Sequence, residues 1–164
     1  MNNLAFFYAM QSRYEEAEPL YERALAIDEI VLGPHHLEVA HVLSNLGMLY
    51  DDLGRYTEAR RVYERVLAIR EATLGSSHPD VANVLINLAS LYHHQERYAE
   101  AIPLYRRSLD IRTAEFGPAH SDTSLALENL TLACELLFVL PDLTEEQQSI
   151  TVPESMAMLC RLSP

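Results

Sequence analysis

Apolar residues recur at helical spacing along most of the chain. In the central stretch, Leu43, Leu46 and Tyr50 follow one another at intervals of three and four residues, so they share one helical face. The sequence "DDLGRY" interrupts the pattern, and Gly54 within it suits the end of a helix. A second apolar stripe follows over residues 59–74. The pattern predicts two antiparallel helices joined by a short turn.

The helix pair repeats along the chain with a fixed step of 42 residues. The sequences "LGPHHLEVA", "LGSSHPDVA" and "FGPAHSDTS" begin at Leu32, Leu74 and Phe116. The same step relates series of asparagines, tyrosines and Arg-Tyr pairs without a gap. A single pair cannot bury both of its faces, whereas stacked pairs cover one another. The sequence therefore predicts an all-α solenoid whose recurring tyrosines pack in the core.

The signature of each unit resembles the tetratricopeptide repeat, W-x2-L-G-x2-Y followed by A-x3-F. The second unit reads Leu43-x2-Leu46-Gly47-x2-Tyr50 and then Ala59-x3-Tyr63. An ordinary unit has about 34 residues, and the longer unit here is similar to the repeats of kinesin light chains and nephrocystin-3. The resemblance implies a right-handed superhelical solenoid of antiparallel helix pairs.

The resemblance covers most of the chain, but its ends depart from the pattern. We expect the array to span residues 1–140, as three helix pairs and the first helix of a fourth. Residues 141–164 form a divergent tail, because Leu143 stands where the repeat has a small alanine. Within the tail, the alternatives for residues 153–162 are a short capping helix and disorder. Since no polar cap precedes the first helix, we expect a segment of a longer array or a helix that a partner covers.

The sequence "LGSSHPDVA" is predicted to be a joint between units rather than a chemical site. Gly75 suits the residue just past a helix end, and Pro79 suits the first position of the next helix. His78 then occupies the N-cap of that helix. Leu74 is expected to anchor the joint in the core.

Composition and charge narrow the choice of partner and compartment. The chain has 24 acidic and 12 basic residues, and its net charge of −12 argues against nucleic acid or an anionic membrane as the partner. No apolar run approaches the roughly 20 residues of a membrane span, and the start lacks the basic region of a signal peptide. The two cysteines, Cys134 and Cys160, make no disulfide framework. We therefore expect a cytoplasmic protein.

The resemblance also implies a binding surface, since the first helices of such pairs line a concave groove. Their recurring asparagine can hydrogen-bond the backbone of a bound peptide, although it could instead brace neighbouring helices. The predicted groove residues are Asn3, Phe6, His41, Asn45, Met48, Asp52, Asn83, Asn87, Ser90, His94 and Asn129. Arg70 and Arg112 are the nearest basic candidates, and neither lies on a first helix. We therefore expect a neutral-to-basic peptide with an apolar anchor.

The candidate chemistry points away from catalysis. The pairs His35-His36 and His93-His94 lack the further ligands of a zinc site, and no nucleophile with a base or phosphate-binding loop is recognisable. Cys134 replaces the tyrosine of the repeat and is expected in the core. We predict a non-enzyme without metal or cofactor.

Two classes of function follow from these observations. The favoured one is a protein-interaction module that holds a peptide or helix of another protein, and self-association through exposed terminal helices is a further expectation. The alternative is a structural or regulatory array, a spacer or sensor segment of a larger protein such as a signalling NTPase, without a ligand of its own.

Overall fold

The structure is a computed structural model that describes residues 1–139. Over these residues the chain forms seven α-helices and no strand, which confirms the predicted all-α class. The helices are α1 (Asn2–Met10), α2 (Tyr14–Leu32), α3 (Leu37–Asp52), α4 (Tyr56–Leu74), α5 (Pro79–His94), α6 (Tyr98–Phe116) and α7 (Ser121–Val139). The predicted tail, with Leu143, Cys160 and the capping helix that is one alternative for residues 153–162, lies outside the described residues.

The helices alternate between two roles along the stack. The odd-numbered helices, here called the first helices, are each followed by a second helix, α2, α4 or α6, of 19 residues. Each second helix packs against its own first helix and against the next one. Contacts between alternate helices join α1 to α3 and α3 to α5, so consecutive first helices approach one another. The stack therefore curves with the first helices on its concave side.

Tyrosines and small residues make the core of each unit, as the sequence predicts. Tyr21, Tyr63 and Tyr105 are buried at equivalent positions of the second helices. The first helix of the second unit approaches Tyr63 so closely that a Cβ added at Gly47 would lie 2.6 Å from the tyrosine Cε1 atom. Only glycine fits this approach as it stands.

The turn inside each unit is fixed by a positive-φ residue and by a stacked arginine. The equivalent residues Ser12, Gly54 and Glu96 have φ of 58°, 70° and 58°. The arginine that follows each of them stacks on the last tyrosine of the first helix, with 4.3 Å between the Arg55 Cζ atom and the Tyr50 ring centroid. It also pairs with a glutamate three residues later. The recurring Arg-Tyr dipeptide thus has a structural role, since its arginine stacks on a tyrosine five residues earlier.

The joint between units has the predicted caps, and the recurring histidine supplies one of them. The Nδ1 atom of His78 accepts a hydrogen bond from the backbone N–H of Asp80 at 3.1 Å. His36 and His120 likewise accept from the backbone N–H of the residue two positions later, Glu38 and Asp122. An imidazole nitrogen thereby satisfies one of the unpaired N–H groups of the helix start. Gly75 has φ 91° and ψ 154°, a conformation that is essentially restricted to glycine. The interpretation as a structural joint is supported by these bonds.

One expectation for the joint is wrong. Leu74 is only half-buried, and its counterparts Leu32 and Phe116 are exposed, so this position does not anchor the joint in the core. The helix α4 has 19 residues, whereas α3 and α5 on either side of it have 16, so α4 is about one turn longer than the helices that would cover it. The residue before the glycine lies in that extra turn.

Candidate functional site

Exposed and half-buried side chains of the first helices form one continuous surface, here called the concave stripe. In α3 these side chains are spaced by four, three and four residues, so they share one helical face. Their equivalents in the other first helices lie 42 or 84 residues away along the chain. The stripe consists of Asn3, Phe6 and Met10 in α1, His41, Asn45, Met48 and Asp52 in α3, Asn83, Asn87, Ser90 and His94 in α5, and Leu125, Asn129 and Leu132 in α7. All eleven predicted groove residues therefore lie in one register, and none is fully buried.

The two ends of the stripe are apolar. Phe6, Met10 and Met48 are exposed at the first end, and Leu125 and Leu132 are exposed at the other. Leu125 is missing from the predicted groove residues. The repeat itself holds the signal for it, because Leu125 follows Asn83 by the same step of 42 residues.

The recurring asparagines do not all have the same surroundings. The Asn45 Nδ2 atom donates to the Asn2 Oδ1 atom at 3.0 Å, which braces α3 against α1. The half-buried amides of Asn87 and Asn129 have no hydrogen-bond partner among residues 1–139. One member of the series thus follows the bracing alternative, and two keep the donors and acceptors that a peptide backbone requires.

Histidines and aspartates meet in the middle of the stripe. The Nδ1 atom of His94 lies 3.2 Å from the Oδ1 atom of Asp51, and this contact links α5 to α3. Asp52, one residue on, is exposed and has no partner in the described part of the chain. His93 packs edge-on against the Tyr98 ring with 5.0 Å between centroids, and burial lowers its pKa below the usual 6.5. Asp52 therefore gives this part of the stripe an exposed negative charge.

The two basic candidates of the sequence serve the fold instead. Arg112 Nη1 donates to the backbone oxygen of Asp122 at 2.8 Å, and its Nη2 donates to the Asn83 side-chain oxygen at 2.9 Å. Arg70 makes the equivalent backbone bond to Asp80 at 2.9 Å. Each arginine ties a second helix to the first turn of the following helix. The first helices themselves contain no lysine or arginine, so the side chains of the stripe include neither residue.

Two cavities bear on binding. A cavity of about 60 Å³ opens on the stripe between α1 and α3 and is lined by Phe6, Met10, Met48, Asn45, Asp52 and the buried Tyr21. A larger one, of about 320 Å³, opens between α2 and α4 and is lined by the apolar side chains Leu25, Leu43, Leu46, Tyr50 and Val62, with Arg61. Only the smaller one belongs to the concave stripe.

Among residues 1–139, no three His, Cys, Asp or Glu side chains cluster as ligands of a metal ion. Within the same residues, no helix combines the length and the apolar character of a membrane span.

The sequence profile of the tetratricopeptide repeat matches residues 1–72, 52–114 and 80–138, which together cover most of the chain. The chain belongs to the tetratricopeptide repeat family. Tetratricopeptide repeats are generally protein-interaction modules, and families built on them are typically non-enzymatic. A comparison with curated protein sequences finds no match.

Solved structures share the fold of the array. BtubC (BKLC) from P. vanneervenii superposes with a TM-score of 0.77 at 23% identity, over 95% of this chain and 60% of that one. A kinesin light chain-like protein of Podospora anserina with nearly identical TPR-like repeats has a TM-score of 0.75 at 23% identity, over 99% of this chain and 75% of that one. The array thus spans less than two thirds of BtubC. The predicted kinesin light chain type is confirmed for the fold.

Proposed function

We propose that the concave stripe of the array binds an extended peptide or a helix of a partner protein, and that the bound segment is neutral or basic. The observation that carries this proposal is the composition of the stripe. It exposes apolar side chains at both ends, and the carboxylate of Asp52, beside those of the first end, has no partner among residues 1–139. It lies on helices without lysine or arginine. Such a surface attracts basic and apolar ligands and repels acidic ones.

The stripe divides the task between its apolar ends and its polar middle. Apolar side chains of the ligand would pack on Phe6 and Met48 at one end and on Leu125 and Leu132 at the other, where burial of apolar area drives association. The amides of Asn87 and Asn129 would hydrogen-bond the ligand backbone in both directions, as donor and acceptor. This division favours a segment with apolar anchors and an extended middle.

An array of immobilised peptides tests the proposed charge preference. Two sets of twelve-residue peptides share the same apolar positions and differ only in having arginine or glutamate at the remaining variable positions. The stripe should retain the arginine set, and raising the salt concentration should weaken that binding. Clear preference for the glutamate set would overturn the proposal. A chain that retains neither set would favour the alternative of a spacer or sensor array without its own ligand.

A second candidate function is self-association through α1. Leu4 is 48% exposed, whereas its counterpart Leu46 is 4% exposed because the preceding second helix covers it. Met1 and Phe7 add to this exposed apolar face. Sedimentation equilibrium of the chain and of a Leu4→Glu variant tests this candidate. An oligomer that the substitution dissociates supports it, and a monomeric chain rules it out. A cytoplasmic location is likewise proposed.

A further inference from the structure

The small cavity between α1 and α3 holds an unusual polar group. Tyr21 lines this cavity, and its side chain is fully buried. Its hydroxyl oxygen has no hydrogen-bond partner within residues 1–139. Burial of an unpaired hydroxyl is costly in a protein interior, where such groups are nearly always satisfied. The hydroxyl of Tyr21 therefore calls for a partner that the described chain does not provide.

The third unit shows where that partner would be. The Tyr105 hydroxyl is equivalent to that of Tyr21 and lies 3.3 Å from the Oγ atom of Ser90, so one hydroxyl donates to the other. Ser90 is a residue of the concave stripe. Its counterpart in the first unit is Phe6, which has no polar atom to offer. By this equivalence, the Tyr21 hydroxyl lies beneath Phe6 of the stripe. It is fully buried, so a ligand reaches it from the concave side once the exposed Phe6 side chain turns aside.

The walls of the cavity limit what can enter it. A volume of about 60 Å³ admits a short side chain. It is far below the roughly 300–1,000 Å³ of pockets that enclose drug-sized ligands. Phe6, Met10 and Met48 make most of the wall apolar. Asp52 at the same cavity carries a negative charge without a partner in residues 1–139, so a carboxylate or phosphate is disfavoured there.

We infer that this cavity receives a threonine side chain of the bound peptide, next to a lysine or arginine that pairs with Asp52. The threonine methyl packs against Phe6 and Met48, and its hydroxyl pairs with that of Tyr21, as Ser90 pairs with Tyr105. A hydroxyl serves in either direction, because it both donates and accepts. The inference rests on the peptide binding proposed above and names the residue that the first end of the stripe selects.

A randomised nonapeptide library without cysteine, with one fixed central lysine, tests the inference on three versions of the full chain. They are the unmodified chain, Tyr21→Phe, and the control Tyr105→Phe, which removes an equivalent hydroxyl from the third unit. Tyr21→Phe deletes only an oxygen that has no partner among residues 1–139, so it should fold at least as well as the parent. Circular dichroism and thermal unfolding verify this before selection. Sequencing of the retained peptides gives the enrichment at each position.

The unmodified chain and Tyr105→Phe should enrich threonine beside the fixed lysine, and Tyr21→Phe should lose this enrichment while it still retains peptides. For one retained peptide, replacement of the threonine by valine should weaken binding about 2- to 10-fold to the unmodified chain and not at all to Tyr21→Phe. Two results would overturn this inference and leave the groove proposal standing. In one, the retained peptides show no threonine enrichment; in the other, Tyr21→Phe preserves the enrichment. Failure of all three chains to retain peptides would overturn both.

Discussion

The substitution Gly47→Ala tests the close packing of the two helices in the second unit. Glycine within a helix costs about 0.5–1 kcal/mol relative to alanine, so helix propensity alone predicts that the change stabilises the protein. The structure predicts the opposite sign. The new Cβ would lie 2.6 Å from the Tyr63 Cε1 atom and 2.9 Å from Cδ1 and Cζ of the same ring. These atoms belong to a buried ring that has little room to retreat.

The magnitude follows from the two opposing effects. Overpacking of a core costs typically about 1–3 kcal/mol, from which the propensity gain is subtracted. The equivalent positions in the other units hold Ala5 and Ala89 beside Tyr21 and Tyr105. The repeat can therefore admit a methyl group if its helices move slightly apart. We expect Gly47→Ala to lower the free energy of unfolding by about 1 kcal/mol.

Urea unfolding followed by circular dichroism at the helical band measures this change. A matched control is Ala89→Gly, which should also destabilise, since it removes a core methyl group and loosens the helix. The double variant Gly47→Ala with Tyr63→Leu should lose less stability than the sum of the single changes, because the smaller leucine leaves space for the methyl group. A Gly47→Ala protein as stable as the parent, or more stable, would refute the packing argument.

Three further perturbations address the joints and the charged residues of the stripe. Gly75→Ala should lower the free energy of unfolding by about 1–3 kcal/mol in the same urea assay, because φ 91° and ψ 154° are strained for a residue with a Cβ; an unchanged midpoint would contradict this. His78→Ala should cost about 0.5–2 kcal/mol through loss of the cap, whereas His78→Ser keeps an acceptor and should cost less, with peptide binding intact in both. The pKa of His93 is lowered in the folded state, so its contribution to stability is present above pH 6.5 and is lost as the pH falls below it. The free energy of unfolding should therefore depend less strongly on pH in His93→Gln than in the unmodified chain. An identical pH dependence in the two proteins would exclude this contribution.

Much of the fold is predictable from the sequence because the repeat makes local information redundant. A single helix pair would leave the unit length and the helix boundaries ambiguous. Three copies of the joint around Gly75 and His78 define both together. The residues of the concave stripe follow for the same reason, since one helical face repeated at a constant step defines a surface. Leu125 was predictable by the same rule, since it follows Asn83 by the repeat step of 42 residues.

Contacts between helices could not be predicted in the same way. Three such contacts depend on the axial offset of neighbouring helices. Arg55 stacks on Tyr50, Asn45 bonds to Asn2, and Arg112 ties two helices together. A local pattern does not contain that offset. The unpaired hydroxyl of Tyr21 is likewise visible only when the residues opposite it are placed, because in sequence it is one more member of the tyrosine series.

Binding of one retained basic peptide to a matched pair of variants tests the central claim of a ligand on the concave stripe. Met48→Glu places a charge on the stripe, and Ile30→Glu places the same charge on an exposed apolar position of the second helix α2. Fluorescence anisotropy of the labelled peptide gives the dissociation constant for the unmodified chain and for both variants, each verified as folded. We expect Met48→Glu to change the dissociation constant at least several-fold, with Ile30→Glu close to the unmodified chain. Equal binding by all three proteins, or a larger effect from Ile30→Glu, would contradict the account.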